Sequence, residues 1–274
     1  MQTHGKLGII AGGGDAPQRV IEACRAQKRP FFVICLEGQA REGFAHDSPH
    51  IWLPLGAFGR LRDVIAAEGI AEIVMIGAVR RPSLWELKPD GLALRLLPKI
   101  GFHALGDDGL LRAVGQAIET ECAVKLIGIQ DILGGTLLRA GALGKVTTDE
   151  TALTDIKRGI EVARALGTLD VGQAVIVQQG LVLGVEAIEG TDALIARCGA
   201  LQRAGLGGVL VKMPKPQQDN RFDLPTLGVI TLQNAAQAGL RGVAAHAGRS
   251  LLIDRAEACR MADETGLFIF GFDL

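Results

Sequence analysis

The chain of 274 residues has no tyrosine, two tryptophans and nine phenylalanines, so aromatic side chains cannot build its core. Leucine, isoleucine, valine and alanine must do so, and that aliphatic character suits a parallel sheet covered on both faces. The same scarcity removes the stacking platforms that single-strand nucleic-acid binders use. An excess of charge is missing too: 29 basic residues face 30 acidic ones. A phosphate-backbone footprint needs a basic surplus, so no nucleic-acid partner is expected. Cys24, Cys35, Cys122, Cys198 and Cys259 are scattered and form no CxxC pair. That excludes the usual zinc and dithiol motifs and leaves free, mostly buried thiols of a reducing cytoplasm. No run approaches the ~20 apolar residues of a membrane span. The opening MQTHGK lacks a signal-peptide pattern. With only ten prolines among 48% hydrophobic residues, disorder is excluded as well.

What is present reads as alternating strands and helices. Leu7–Ala11, Phe31–Leu36 and Glu72–Ile76 are strand-like, with helices over Pro17–Gln27 and Leu61–Glu68 between them. This alternation is the pattern of a parallel sheet with crossover helices. Helix Leu110–Thr120 and strand Val124–Gly128 follow, and Gly134–Thr148 then loses periodicity. A domain boundary is placed there, giving residues 1–134 and 135–274. The second half is expected to carry helices Thr151–Leu166, Asp192–Gln202, Leu227–Ala238 and Arg255–Thr265. Its strands are expected at Ala174–Gln178, Leu183–Ala187, Gly208–Val211, Gly242–Ala245 and Leu267–Phe272, with a tight hairpin at Gln179-Gly180. The fold class is α/β: an N-terminal Rossmann-like lobe and a C-terminal α/β lobe, with a cleft between them.

Five segments carry candidate chemistry. Gly12-Gly13-Gly14-Asp15 joins the first strand to the first helix, where bare backbone and helix amides can meet an anion. A dinucleotide fingerprint would need glycine at Pro17, so the match to an NAD-dependent oxidoreductase is partial, though Glu37 stands where a ribose-binding acid would. Gly77 leads from the third strand to Arg80 and Arg81, which can hold phosphate or simply sit on a solvated loop. In Glu189-Gly190-Thr191-Asp192, either Thr191 or Asp192 is a natural helix cap, leaving the other for a sugar hydroxyl or a metal. Lys212-Met213-Pro214-Lys215-Pro216 through Arg221-Phe222-Asp223-Leu224-Pro225 is the densest cluster, with Asp219 and Asp223 four residues apart. Carboxylates with lysines suit Mg²⁺ and a phosphorylated ligand. Last, the apolar stretch Leu84–Leu105 with Arg95 and Lys99 is read as core or as a bilayer-facing surface. His246 is expected to be a satisfied structural histidine.

Six blocks together resemble the LpxI family. They are Leu7–Gly14, Gly106–Arg112, Leu169–Gln173, Glu189–Ala193, Lys212–Pro216 and Phe222–Gly228, in that order along nearly the whole chain. The resemblance implies a UDP-2,3-diacylglucosamine pyrophosphatase of lipid A biosynthesis in Gram-negative bacteria. Such an enzyme uses Mg²⁺ and water to release UMP and 2,3-diacylglucosamine 1-phosphate (lipid X). It further implies that Asp223 is the functional carboxylate and metal ligand, with Asp219 second. Gly12, Gly13, Gly14, Asp15, Gly77, Arg80, Arg81, Gln173, Thr191, Asp192, Lys212 and Lys215 are the expected substrate contacts. The partner is then a lipid-linked sugar nucleotide, met by peripheral contact with the cytoplasmic face of the inner membrane. A homo-oligomer and a non-catalytic sugar-nucleotide binder stay open beside this reading.

Overall fold

The computed structural model describes residues 5–80, 87–100, 107–216, 221 and 224–274. The chain forms two compact units, one reaching from the N-terminus to Gly134 and including Arg221, the other starting at Gly135 and including Leu224–Leu274.

The first unit is built on a five-stranded parallel sheet. Its strands are β1 (Lys6–Ala11), β2 (Phe31–Leu36), β3 (His50–Leu53), β4 (Ile70–Ile76) and β5 (Lys125–Leu126), in the order β3-β2-β1-β4-β5. Strand β1 pairs with β2 (Ile9 opposite Val33) and with β4 (Ile9 opposite Val74). The order reverses at β1, so the loops after β1 and β4 meet at the switch point, where doubly wound sheets take their ligands. The helices are α1 (Ala16–Ala26), α2 (Phe58–Ala67), α3 (Gly91–Ile100) and α4 (Asp107–Cys122). Ile10, Phe32, Ile34, Leu53, Phe58, Ile65, Ile73, Leu96, Ile118 and Leu126 make one continuous aliphatic cluster with two phenylalanines. Strand β3 and helix α3 carry no clear sequence signal. His50-Ile51-Trp52-Leu53 is too short to show a period, and Pro98 interrupts α3.

The second unit carries a mixed six-stranded sheet. Its strands are β6 (Gly141–Leu143), β7 (Ala174–Gln178), β8 (Leu181–Val185), β9 (Val209–Lys212), β11 (Gly242–His246) and β13 (Phe268–Phe272), ordered β6-β13-β11-β9-β7-β8. A separate two-residue pairing joins β10 (Thr226–Leu227) to β12 (Leu251–Leu252). That pairing is parallel, and within the six-stranded sheet β9, β11 and β13 run parallel while β6, β7 and β8 are antiparallel to their neighbours. Alternate strand residues feed two cores, as the period of two requires. Val175, Val177, Val209, Val211, Ala244 and Phe268 meet Ala152, Ile156 and Ala163 of helix α5 (Glu150–Thr168). Ile176, Leu210, Val243 and Ile269 meet α6 (Gly190–Gly199), α7 (Val229–Gln237) and α8 (Arg255–Thr265). Asp149 caps α5 by accepting from the Ala152 amide at 2.7 Å. At Gly159 a Cβ would stand 2.5 Å from Val211 Cγ2, so glycine lets α5 lie close on the sheet.

The hairpin between β7 and β8 turns at Gln179 (φ 53°) and Gly180 (φ 78°), and two positive φ angles define the primed turn that suits strand twist. Its amides donate to buried Asp155 of α5, at 3.1 Å from Gln179 and 2.6 Å from Gly180. The turn takes only two residues, so β8 starts at Leu181 and not at the expected Leu183. Leu227 likewise belongs to a strand, and α7 starts two residues later than expected.

Candidate functional site

Two places collect the residues singled out in the sequence, one in each unit. In the first unit, the loops after β1 and β4 are joined backbone to backbone. The Gly13 amide donates to Ala78 O at 2.8 Å, and the Ala78 amide donates back to Gly13 O at 3.0 Å. A Cβ on Gly12 would lie 2.6 Å from Ala78 O, and one on Gly77 would lie 2.6 Å from Gly13 O. Gly77 also has φ 97°. Close packing of two backbones therefore accounts for Gly12 and Gly77 without a ligand. Gly14 differs: its φ is 82°, and a Cβ placed there would meet nothing within 4 Å. Asp15 precedes α1 without capping it and stands 3.8 Å from Arg41, both exposed. The part of this loop able to receive an anion thus narrows to Gly14 and the first turn of α1, where Pro17 offers no N–H. The Arg80 amide donates to Gln39 Oε1 at 2.8 Å. Arg81 lies outside the described residues.

In the second unit, β9 runs into Lys212-Met213-Pro214-Lys215 at the edge where β7 begins. Lys212 is 6% exposed, and its Nζ donates to Thr226 O at 3.2 Å. An ammonium is seldom buried without partners, since leaving water costs several kcal/mol per ion. The Met213 amide donates to Gln173 O at 2.9 Å, locking the two strand ends together. Lys215 Nζ meets Asp170 Oδ1 at 2.6 Å, both side chains largely covered. Glu186, 6% exposed, follows β8 and holds two neighbours with its two oxygens. Oε2 accepts from the Gln173 amide at 3.0 Å, and Oε1 accepts from the Thr191 hydroxyl at 2.6 Å. At Gly172 a Cβ would come 2.1 Å from Glu186 O, so only glycine lets these segments meet. Gln173 Oε1 is buried without a hydrogen-bond partner among the described residues.

The fold therefore gathers Gln173, Thr191, Lys212 and Lys215, all expected from the sequence, around Asp170, given no role of its own within the Leu169–Gln173 block, and Glu186, which no local pattern marks. The signal for Glu186 is weak: one acidic residue closing an apolar run, three positions before the more conspicuous Glu189. The capping expectation needs correction. The residue before α6 is Glu189, Thr191 bonds to Glu186, and neither Thr191 nor Asp192 caps the helix. Asp192 accepts from Asn234 Nδ2 of α7 at 3.0 Å and lines a shallow groove between α6 and α7.

Asp219 and Asp223 lie outside the described residues. Arg221, between them in sequence, joins the first unit, where its guanidinium meets both oxygens of Glu119 at 3.1 and 3.2 Å. Among the described residues no group of three histidine, cysteine, aspartate or glutamate side chains is placed to hold a metal. The donors expected for Mg²⁺ are Asp219 and Asp223, outside the described residues.

The remaining candidates fall into the core. His246 Nδ1 stands 2.6 Å from Ala247 O and its ring meets Phe272 edge-on at 5.8 Å, a structural role as expected. Burial pushes the Cys35 and Cys122 thiols up to about 11, and raises Cys24 and Cys198 as well, so none is a ready thiolate nucleophile. Along the apolar stretch, Leu87 and Leu96 are buried while Leu94 is exposed, which makes the described part chiefly core. Among the described residues no helix is long and apolar enough to cross a membrane.

An α/β protein of two units, with buried lysine and carboxylate groups at the strand ends of the second sheet, is of a class that includes many enzymes of small charged molecules. Comparison with known proteins makes this particular. Residues 6–136 match the LpxI N-terminal domain and residues 139–270 the LpxI C-terminal domain, so the chain belongs to the LpxI family. It is similar to the UDP-2,3-diacylglucosamine pyrophosphatase LpxI of Caulobacter vibrioides (strain ATCC 19089 / CIP 103742 / CB 15), at 41% identity over 275 residues and 98% of each chain.

Proposed function

We propose that this chain hydrolyses the pyrophosphate of UDP-2,3-diacylglucosamine, releasing UMP and 2,3-diacylglucosamine 1-phosphate for lipid A synthesis. The observation that carries this reading is the match of both LpxI domains in order, together with 41% identity over 98% of the chain to a protein of that named activity. An oxidoreductase rests on the partial glycine fingerprint alone, and packing already accounts for the first of its glycines, Gly12.

In this reading Lys212 and Lys215 meet the negative charge of the pyrophosphate. Their ammonium groups sit at the edge where bound phosphate would be partly removed from water, and there a charge pair is worth more than in bulk solvent. Arg80, Arg81, Gly14 and Asp15 are proposed as further substrate contacts. Asp223 is proposed as the carboxylate that holds the metal and prepares the attacking water, with Asp219 beside it. The reaction is proposed to need Mg²⁺, which supplies Lewis acidity and a lowered water pKa when bound. We place the protein in the cytoplasm, in peripheral contact with the inner membrane that holds its substrate.

The test is incubation with UDP-2,3-diacylglucosamine with Mg²⁺ and with excess EDTA. UMP is expected in the first and absent from the second. UMP in both would remove the metal from the mechanism, and UMP in neither would remove the reaction.

A further inference from the structure

Glu186 takes no part in the proposed reaction. It is covered, yet among the described residues it carries neither a lysine nor an arginine; it spends one oxygen on the Gln173 amide and the other on the Thr191 hydroxyl. A carboxylate only accepts hydrogen bonds, and a threonine hydroxyl has a single proton. With that proton committed to Glu186, Thr191 Oγ1 can offer a ligand nothing but lone pairs. The partner it suits is therefore a donor. A phosphate oxygen is an acceptor and would also face the negative charge of Glu186, so it is the wrong partner. At the end of β9 the opposite holds: Lys212, whose backbone pairs with Ala174, and Lys215 just beyond the strand present donors and positive charge.

From this division we infer that Glu186 is a positioning residue that turns Thr191 into an acceptor for an uncharged donor of the sugar, a hydroxyl or the amide N–H, while the lysines take the phosphate. The inference rests on the proposed reaction, whose substrate carries both a glucosamine and a phosphate. A second observation points the same way. Gln173, held by the other oxygen of the same carboxylate, has its side-chain Oε1 buried without a partner among the described residues. An unmet buried polar atom is costly, and a ligand that satisfies it recovers that cost.

Glu186→Gln is the sharpest probe because it keeps the shape. If the new amide oxygen accepts from Gln173, its NH₂ must donate to Thr191, which frees the Thr191 proton and reverses what the ligand meets. The full chain is assayed for UMP release, and by titration with 2,3-diacylglucosamine 1-phosphate and, separately, with UMP. We expect Glu186→Gln and Thr191→Val each to weaken 2,3-diacylglucosamine 1-phosphate binding and raise KM about tenfold, the size of one hydrogen bond to a ligand. Binding of UMP, which has no sugar of this kind, stays at the wild-type value. Thr191→Ser recovers most of the loss. The double variant Glu186→Gln/Thr191→Val is no worse than Thr191→Val alone, because Glu186 acts through that hydroxyl. Multiplying effects in the double variant, or a parallel fall in UMP binding, would overturn the inference while leaving the reaction standing. Should Glu186→Gln fail to fold, Thr191→Val alone decides: equal weakening toward both ligands overturns the assignment. If wild type releases no UMP, the reaction falls. The subsite then survives only if 2,3-diacylglucosamine 1-phosphate still binds and Thr191→Val weakens it.

Discussion

The two strand-end junctions of this protein look alike in sequence and differ in what they are for. After β1 and β4, glycines let two backbones bond to each other, and the Gly13–Ala78 bridge closes the space between them. At the edge of the second sheet, backbones are also tied, through Met213 and Gln173, but charged side chains fill the neighbourhood: Lys212, Lys215, Asp170 and Glu186. Glycine in the first place serves packing, whereas at Gly172 it serves the approach of a carboxylate-bearing segment. A glycine-rich turn is thus weak evidence of a ligand until its neighbours are known, while a buried lysine and a largely covered lysine–carboxylate pair at one strand end are stronger.

Variants can sharpen or break that contrast. The largest effect is expected from Asp223→Ala, which should lower the rate of UMP release by roughly 10²–10⁴-fold while substrate binding persists. Wild-type turnover in that variant would move the chemistry elsewhere. Gly77→Ala should strike stability instead. Its Cβ would press on Gly13 O at φ 97°, and a cost of about 3 kcal/mol is expected in a urea melt, with KM per folded molecule unchanged. A raised KM with an unshifted melt would make the first junction a binding element. Lys215→Met should do the reverse, raising KM about tenfold with a smaller change in the melt, because a phosphate contact of roughly 1.4 kcal/mol is lost. The smallest effect concerns acid stability. The Arg241 side chain and the Ala152 amide hold the Asp149 carboxyl below the usual range. A depressed carboxylate stabilises the fold above its unfolded pKa of ~3.9 and loses that contribution as pH falls through the folded value. The melting temperatures of wild type and Asp149→Asn should therefore converge below about pH 4, and a constant gap would break the assignment.

Most of the elements are legible in the sequence because their hydrophobic periods are long. Helix Arg255–Thr265 and strand Phe31–Leu36 appear where apolar spacing and flanking glycine or proline place them. Short pieces are not: β3, β6, β10 and β12 hold two to four residues, too few for a period, and exist because a neighbour offers a pairing edge. Strand β5 shrinks from the expected Val124–Gly128 to two residues for the same reason. Of the candidate site, Lys212 and Lys215 are visible as charges after a core strand, and Thr191 as a polar residue opening a helix. Their partners are not, since Asp170 lies 45 residues from Lys215 in the chain, and Glu186 looks like any acid at a strand end.

The sequence by itself determined the α/β class, the aliphatic cores, the family and the residue types available for charge. These follow from composition, from periods of two and 3.6, and from ordered local blocks, all of which survive without knowledge of distant contacts. Only the tertiary structure decided which glycines are packing elements, that Thr191 gives its proton to Glu186 and caps nothing, and that Asp192 turns toward Asn234. Hydrogen bonds and close approaches depend on distances of a few ångströms between residues far apart in the chain, and no local pattern specifies them.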